Sequence, residues 1–275
     1  MNALALRLAD ALSLYCRMLA LSARAQLQYR VSFLLMSVGQ FVATGVEALG
    51  VWALFDRFGS LSGWTLAQVG VFYGVVNIGF ALADALARGF DVFGAQYVKT
   101  GQFDRLLLRP RATELQLFGH EITLYRIGRI AQGGLMLGFA VSLGEQTLQA
   151  WQWLLLLWAI VGCVCLFVGL FMLGATLSFW TVESLEVINT FTYGGAEAAQ
   201  YPLSIYTPWF RRFFTFVVPL GCVAYFPVVA ALNVVDPLGT TRAFQMSAPI
   251  AGVAFLLVCI GVWRMGVRHY TSTGS

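Results

Sequence analysis

Residues 151–179 read WQWLLLLWAIVGCVCLFVGLFMLGATLSF, a run of 29 residues without Asp, Glu, Lys or Arg. At about 1.5 Å per residue, a helix of this length exceeds the roughly 30 Å of hydrocarbon in a bilayer. Trp151, Trp153 and Trp180 stand near its two ends, where transmembrane helices carry their aromatic belts. The stretch therefore predicts a membrane-spanning helix.

The composition of the whole chain agrees with a membrane protein. Of the 275 residues, 59% are hydrophobic and 11% are charged. A soluble domain carries about 25% charged residues. So few charges cannot cover a soluble body, which excludes an ordinary cytosolic enzyme, a nucleic-acid binder and a disordered chain. The continuous apolar runs predict an all-α polytopic membrane protein.

Six segments have the apolar character expected of transmembrane helices. They are 31–55, 66–87, 122–143, 151–179, 187–205 and 249–264. A further apolar segment, 213–235, contains Pro219 and Pro227, and proline breaks the interior of a helix. We therefore interpret residues 208–235 as a re-entrant helical hairpin before the last span, which a membrane tolerates where protein buries it.

The first 30 residues predict an amphipathic helix rather than a signal peptide. At 100° per residue, five polar side chains between Asp10 and Gln28 fall on one narrow stripe. Charges interrupt the apolar run, and no small-residue cleavage site follows it. We expect segment 1–30 to lie in the membrane interface, ahead of a six-span domain, 31–275.

The basic residues predict the orientation. Thirteen of the 17 lie on the side of the termini and around loop 88–121, and four lie on the other side. Because loops rich in Lys and Arg stay in the cytoplasm, both termini are predicted to be cytoplasmic. An even number of spans follows, which places the hairpin on the outer side.

No motif for catalysis or cofactor binding appears in the sequence. There is no G-x-x-x-x-G-K-[ST] loop for phosphates, the five cysteines include no C-x-x-C pair, and the two histidines stand apart. We therefore predict no catalytic residue, no metal site and no cofactor in this chain.

Several short strings together resemble one family. They are LSFWT at 177–181, YPLSIY at 201–206, RRFFTFVVP at 211–219, YFP at 225–227 and GQFDRLLLRP at 101–110. With the layout of the spans, they resemble the type-2 ABC exporter permeases, in particular a bacterial subfamily of these membrane subunits. One position departs from the subfamily pattern, because Gln200 stands where a basic residue often precedes the Tyr-Pro pair.

The resemblance implies that the transport pathway and the ATPase belong to separate subunits. The permease forms the translocation pathway, and a separate ABC ATPase subunit, present in two copies, binds ATP and drives export. A second permease is also implied, either a copy of this chain or a homologous chain. The chain itself would be no enzyme. It would lie in the bacterial cytoplasmic (inner) membrane. Its partners would include membrane lipid but no nucleic acid.

Segment 101–110 is interpreted as a coupling helix that docks on the ATPase. Its apolar residues Phe103, Leu106 and Leu107 are spaced to share one face. The residues assigned to coupling are Phe103, Asp104, Arg105, Leu107 and Arg109, with Glu183 and Glu186 in the next loop on the same side. Alternatively, the basic loop only orients the protein against anionic lipid, and the two glutamates form a solvated loop edge.

The region 201–227 is dense in aromatic residues and prolines, and we interpret it as an outer gate. The residues assigned to the pathway or gate are Glu197, Tyr201, Pro202, Pro219, Tyr225 and Pro227. The alternative is an aromatic belt, although a simple belt needs no broken helices.

Glu47 and Glu197 are the ionisable residues that the sequence places deepest in the predicted spans. A charge at that depth costs at least about 2.5 kcal/mol on insertion scales. We expect Glu47 to reach the headgroup region. Glu197 either lines the pathway or makes a structural hydrogen bond, and the sequence leaves both alternatives open.

Two other function classes are compatible with a polytopic membrane protein. An ion-coupled secondary transporter would show repeated halves and several buried ionisable groups. An integral membrane lipid-modifying enzyme would show clustered acidic residues or histidines at a membrane surface. The sequence has neither a convincing repeat nor such a cluster. An exporter permease is therefore the leading hypothesis, and its substrate is not identified by the residues.

Overall fold

Long apolar helices joined by short helical turns make up the protein. The computed structural model describes residues 3–120, 122–144, 148–181 and 188–271. Within these ranges the chain forms helices, turns and loops and no β-strand, which confirms the predicted all-α class.

Twelve α-helices are numbered here in chain order over the described residues. They are α1 (Ala3–Gln28), α2 (Arg30–Phe58), α3 (Leu66–Asp91), α4 (Phe103–Leu107), α5 (Thr113–Phe118), α6 (Ile127–Leu143), α7 (Ala150–Leu177), α8 (Gly195–Ala199), α9 (Pro208–Phe216), α10 (Phe226–Ala231), α11 (Arg242–Ser247) and α12 (Ile250–His269). Single π-helical turns lie at Gly94–Val98, Thr190–Gly194 and Gly221–Tyr225, and 3₁₀ turns at Leu124–Arg126 and Leu203–Ile205.

Four described helices, α2, α3, α7 and α12, are long and apolar enough to cross a bilayer. Helix α9 and the segment Gly221–Ala231 form a pair bent by 83°, which makes a fifth candidate if the pair is one span. Helix α6 has 17 residues, slightly fewer than the roughly 20 that a span needs. The protein is thus a multi-pass membrane protein, and the count of six spans stays a prediction.

Helix α3 is the central element of the bundle, packed between α6 and α7. Small residues allow its backbone to approach both neighbours. A Cβ added to Gly74 would lie 2.6 Å from Cβ of Leu137, and one added to Gly79 would lie 2.5 Å from Cβ of Cys163. Helix α7 in turn packs along α12, so α3, α7 and α12 form the core.

Helix α1 is attached to the chain that leads into α6. The Oε1 atom of Gln26 accepts a hydrogen bond from the backbone N–H of Leu124 at 2.9 Å, and the Oγ atom of Ser22 accepts from the N–H of Ile122 at 3.2 Å. An exposed ion pair joins Asp10 to Arg111 at 2.6 Å. The predicted amphipathic segment is therefore helical, and its place in the membrane interface stays a prediction.

Helix α2 is largely exposed and meets α6 at one close crossing. A Cβ added to Gly128 would lie 1.9 Å from the carbonyl oxygen of Ser37. Backbone occupies that space, so a side chain at this position must push the two helices apart. Beyond the crossing, towards Trp52 on α2 and Phe139 on α6, the helices diverge and enclose a groove.

Two glycines of α6 make a matched test of this crossing. Gly128→Ala is expected to lower the free energy of unfolding by about 1–3 kcal/mol, because overpacking a fixed contact strains both helices. Gly134→Ala should be neutral or stabilising by up to about 1 kcal/mol, because nothing lies within 4 Å of its added Cβ. Denaturant unfolding of the purified protein, followed by tryptophan fluorescence, measures both changes. Equal effects would contradict the crossing.

Candidate functional site

The ends of α3, α7 and α12 meet at one end of the bundle, where the loop between α3 and α6 packs against them. We call this the basic end. Its cationic residues include Arg88, Lys99, Arg105, Arg109, Arg111, Arg264 and Arg268. The expected coupling segment, 101–110, lies here.

An aromatic cluster holds this loop on the helix ends. Its members are Phe90, Phe93, Phe103, Phe179, Trp263 and Tyr270. The ring centroid of Phe103 lies 5.0 Å from that of Phe93 and 4.9 Å from that of Tyr270. The ring of Trp263 lies 5.0 Å from that of Phe93. Because the rings come from α4 and from the ends of three long helices, the cluster joins the loop rigidly to the bundle.

The structure corrects the expected apolar face of segment 101–110. Phe103 is 0% exposed and Leu106 is buried beside it, so both face the chain's own interior. Leu107 and Leu108 are 43% and 86% exposed and form the outward apolar surface. Phe103 therefore anchors the loop internally and is not available to a partner.

The other residues assigned to coupling differ in their exposure. Arg105 and Arg109 are exposed beside the two leucines, and Asp104 is half-buried. Glu183 and Glu186 lie outside the described residues. The structure therefore brings Arg105, Leu107 and Arg109 together on one surface and leaves the contribution of the second loop as a prediction.

Hydrogen bonds that sequence reasoning missed fix the shape of this loop. The Nε2 atom of Gln116 donates to the carbonyl oxygens of Leu106 at 3.1 Å and Arg111 at 3.0 Å. The indole Nε1 atom of Trp263 donates to the Oγ1 atom of Thr113 at 3.1 Å. The two bonds of Gln116 close a short loop, whereas Thr113 and Trp263 come from distant parts of the chain and no pattern in the sequence pairs them.

The expected gate lies at the opposite end of the bundle, and it is tightly packed. Tyr225 is 2% exposed, and its ring stacks on Phe72 with centroids 6.0 Å apart. The indole N–H of Trp64 donates to Ser204 at 3.0 Å. A neighbouring cavity between Tyr201 and Tyr225 has about 10 Å³, enough for one water at most.

The remaining gate residues differ in exposure. Pro202, Pro219 and Pro227 are buried, and Tyr201 is half-buried. Glu197 is exposed on the side of α8. Within this chain the prolines and Tyr225 thus belong to the packed interior, and their part in a pathway stays a prediction.

Asp236 secures the loop next to this region. Its carboxylate accepts hydrogen bonds from the Tyr225 hydroxyl at 2.7 Å and from the backbone N–H groups of Leu238 at 3.0 Å and Thr240 at 3.1 Å. Burial alone would raise the pKa of Asp236. The hydrogen bonds from Thr240, Leu238 and Tyr225 outweigh it, so the pKa lies below its ordinary value. The carboxylate is therefore charged at neutral pH.

A buried ion pair lies between α3 and the start of α6. Asp84 is 1% exposed and lies 2.6 Å from the guanidinium of Arg126, which also donates to Gln40 of α2 at 2.9 Å. One turn further along α6, the Nε atom of Arg129 donates to Asn77 at 2.8 Å. These contacts tie three helices together inside the apolar bundle.

Sequence reasoning placed the deepest charges of the spans at Glu47 and Glu197, and their depth in a membrane stays a prediction. Both glutamates are exposed in this chain, whereas Asp84 is the buried carboxylate within the described helices. A usable signal was present. Asp84 stands within one helical turn of the end of the second predicted span, 66–87, and Arg126 and Arg129 lie near the start of the third, which runs antiparallel to it.

An apolar bundle with several membrane-crossing helices and a basic loop anchored at one end defines a multi-pass integral membrane protein. The family model described as ABC-2 family transporter protein matches residues 41–274. The match covers most of the chain, so the protein belongs to the ABC-2 transporter family and is a permease subunit of an ABC transporter. A search of the curated proteins gave no match, and neither did a search of the solved structures.

Membership confirms the resemblance inferred from the short strings. The family consists of transport membrane subunits rather than ATPases, and it implies association with an ABC ATPase.

Proposed function

We propose that this chain is the transmembrane subunit of an ATP-driven exporter in the bacterial cytoplasmic membrane. It forms the translocation pathway together with a second permease, a copy or a homologue. Two ABC ATPase subunits bind ATP and supply the work. Ion-coupled secondary transport and lipid modification are weaker alternatives, because membership of the ABC-2 family favours a permease that is driven by a partner.

The proposed topology has six spans, with α1 in the membrane interface and both termini in the cytoplasm. The basic end then faces the cytoplasm, in agreement with its concentration of arginines. The pair α9 and Gly221–Ala231, bent by 83°, is the outer re-entrant hairpin. Glu197, Tyr201 and the buried prolines around Tyr225 form the gate that opens outward.

One observation carries the proposed coupling. The exposed surface of Arg105, Leu107, Leu108 and Arg109 is mounted on the aromatic cluster. A force applied to this surface by an ATPase would reach the ends of α3, α7 and α12 through packed rings, without an intervening flexible linker. Glu183 and Glu186 are proposed as a second contact.

The test changes the outward leucines and leaves the anchor intact. The double substitution Leu107→Ser and Leu108→Ser should weaken ATPase binding more than about tenfold, since buried apolar anchors are often worth about 2 kcal/mol or more. The measurement is co-purification of the ATPase with the permease. Membrane abundance should not change, because both side chains are exposed.

Val235→Ser is the matched control, because Val235 is 88% exposed at the opposite end of the bundle. It should leave co-purification unchanged. Full co-purification with the leucine double variant would show that the loop is not the main dock. Orientation against anionic lipid would then explain the basic loop.

A further inference from the structure

Three exposed charged side chains lie at heights in the bundle where the proposed six-span topology places hydrocarbon. They are Glu47 of α2, Glu197 of α8 and Arg212 of α9. Within the described residues, none of the three forms an ion pair. A charge that meets hydrocarbon is costly, so a surface that carries such charges normally faces protein or water.

Contacts with α3 set the height of Glu197. The ring of Tyr193, just before α8, lies 5.3 Å from that of Phe80. Tyr201, just after α8, interacts electrostatically with Tyr73. Glu197 therefore lies level with the part of α3 between Tyr73 and Phe80, about 10–20 Å from the outer end of that helix. The side chain of a glutamate is too short to reach the headgroups from there.

Helix α9 packs beside α8 and brings Arg212 to a similar height. Its Phe210 and Phe214 line one cavity together with residues of α8. A Cβ added to Gly195 of α8 would lie 3.9 Å from the ring of Phe214. Arg212 stands between the two phenylalanines, and Gly195 stands two residues before Glu197. The carboxylate and the guanidinium thus lie at about the same height in the bundle.

Other exposed surfaces of the bundle are apolar at this height. Helix α7 presents Leu154, Leu157 and Val161, and α12 presents Leu257 and Val258. These surfaces suit lipid. The face formed by α8 and α9, with one exposed charge of each sign, suits a protein partner instead.

Symmetry limits which residues can meet in a pair of identical membrane subunits. In a two-fold interface residue i contacts residue j, and j contacts i. When the axis lies along the membrane normal, each residue keeps its height, so only residues of similar height can pair. Glu197 and Arg212 meet this condition and have opposite charges. Glu47 instead has Arg129 of its own chain as an electrostatic partner.

We propose that the second permease is a copy of this chain, docked on the face formed by α8 and α9. Glu197 of each copy pairs with Arg212 of the other, so two ion pairs neutralise charges that lipid would not accept. The inference rests on the proposed function, because a second permease and the six-span topology are parts of it. It selects a copy over a homologous chain as the partner.

Two charge reversals in the full chain test the pairs. Glu197→Arg and Arg212→Glu each place like charges opposite one another in both pairs. The dissociation constant of the homodimer should therefore rise about tenfold or more. Energy transfer between dye-labelled chains, diluted stepwise in lipid vesicles, measures it. Both side chains are exposed, so tryptophan fluorescence should show an unchanged fold.

Mixing the two variants separates ion pairing from general damage to the surface. In the mixed dimer one copy supplies arginine at both positions and the other supplies glutamate, so each pair again joins opposite charges. Co-expressed with different tags, the variants should co-purify as strongly as two wild-type chains, although neither associates with itself. Arg57→Glu is the matched control, because Arg57 is exposed at the outer end of α2 and lies outside α8 and α9. It should leave the homodimer unchanged.

The proposal is overturned if the wild type is a monomer, if either reversal dimerises like the wild type, or if the mixed variants do not associate. A wild type that is monomeric alone and pairs with a homologous permease also overturns it. Co-purification of the ATPase tests the proposed function separately. If no ATPase binds a dimer that shows the charge pairing, the exporter subunit is refuted and the interface remains.

Discussion

Replacing Asp84 by alanine is expected to lower the free energy of unfolding by about 3–5 kcal/mol. The carboxylate is 1% exposed and pairs with Arg126 at 2.6 Å. Its removal leaves a guanidinium without its counter-ion between α3 and α6, where little water can replace it. Denaturant unfolding of the purified full-length protein in detergent, followed by tryptophan fluorescence, measures the change.

A double variant separates the ion pair from simple loss of packing. Removing both charges, with Asp84→Leu and Arg126→Met, should recover much of the stability, because paired apolar groups can replace a buried ion pair at little cost. The hydrogen bond from Arg126 to Gln40 is lost in this variant, so recovery should be incomplete. Additive losses in the two single variants would contradict the coupling of the pair.

The ion pair between Glu114 and Arg264 provides the exposed counterpart. Its atoms lie 2.8 Å apart; the side chain of Glu114 is 14% exposed, but that of Arg264 is 68% exposed. Solvent screens such a pair, so Glu114→Ala should change stability by less than about 1 kcal/mol. A loss as large as that of Asp84→Ala would show that burial is not what sets the energy of these pairs.

The spans that the sequence predicted best are those whose whole length is apolar. The run 151–179 became α7 (Ala150–Leu177), and 66–87 became the first part of α3. A continuous apolar stretch needs no knowledge of its neighbours, because lipid or protein contact suits it equally well. Length and composition alone therefore locate such helices.

The prediction was weaker where tertiary contacts decide the structure. The span expected over 122–143 is an α-helix only from Ile127. The carbonyl oxygen of Ile122, which a helix would pair with the N–H of Arg126, accepts instead from the side chains of Ser22 and Gln26 of α1. Those partners lie about a hundred residues earlier in the chain, and no local pattern reveals them.

The candidate site shows the same limit. Helical spacing predicted that the apolar residues Phe103, Leu106 and Leu107 share one face. On a helix of one and a half turns, spacing does not tell whether a side chain points towards the bundle or away from it. The ion pair of Asp84 was missed because it depends on how two consecutive spans pack, although Asp84 and Arg126 stand near the adjoining ends of those spans.

Replacement of the buried Phe103 is expected to have the second large effect on stability. Phe103→Ala should lower the free energy of unfolding by about 3–5 kcal/mol, because it empties a fully buried site between the rings of Phe93, Phe179 and Tyr270. Membrane abundance and ATPase co-purification should therefore fall together. The leucine double variant, in contrast, should lose the ATPase and keep its abundance.

Two control variants test whether the effect of Phe103→Ala comes from its burial and its volume. Phe216→Ala makes the same change at a side chain that is 82% exposed, and it should alter stability by no more than about 0.5 kcal/mol. Phe103→Leu keeps most of the apolar volume and should cost less than about 1.5 kcal/mol, with the ATPase still bound. The order of stability should thus be wild type and Phe216→Ala, then Phe103→Leu, then Phe103→Ala.

The opposite pattern would identify a different conformation of the loop. If Phe103→Ala unfolds like the wild type yet loses the ATPase, then Phe103 contacts the partner directly, as the helical spacing first indicated. The loop would have to leave the aromatic cluster on binding, and the helix ends of α3, α7 and α12 would no longer be joined through it. Coupling would then require another connection, for which the segment containing Glu183 and Glu186 is the next candidate.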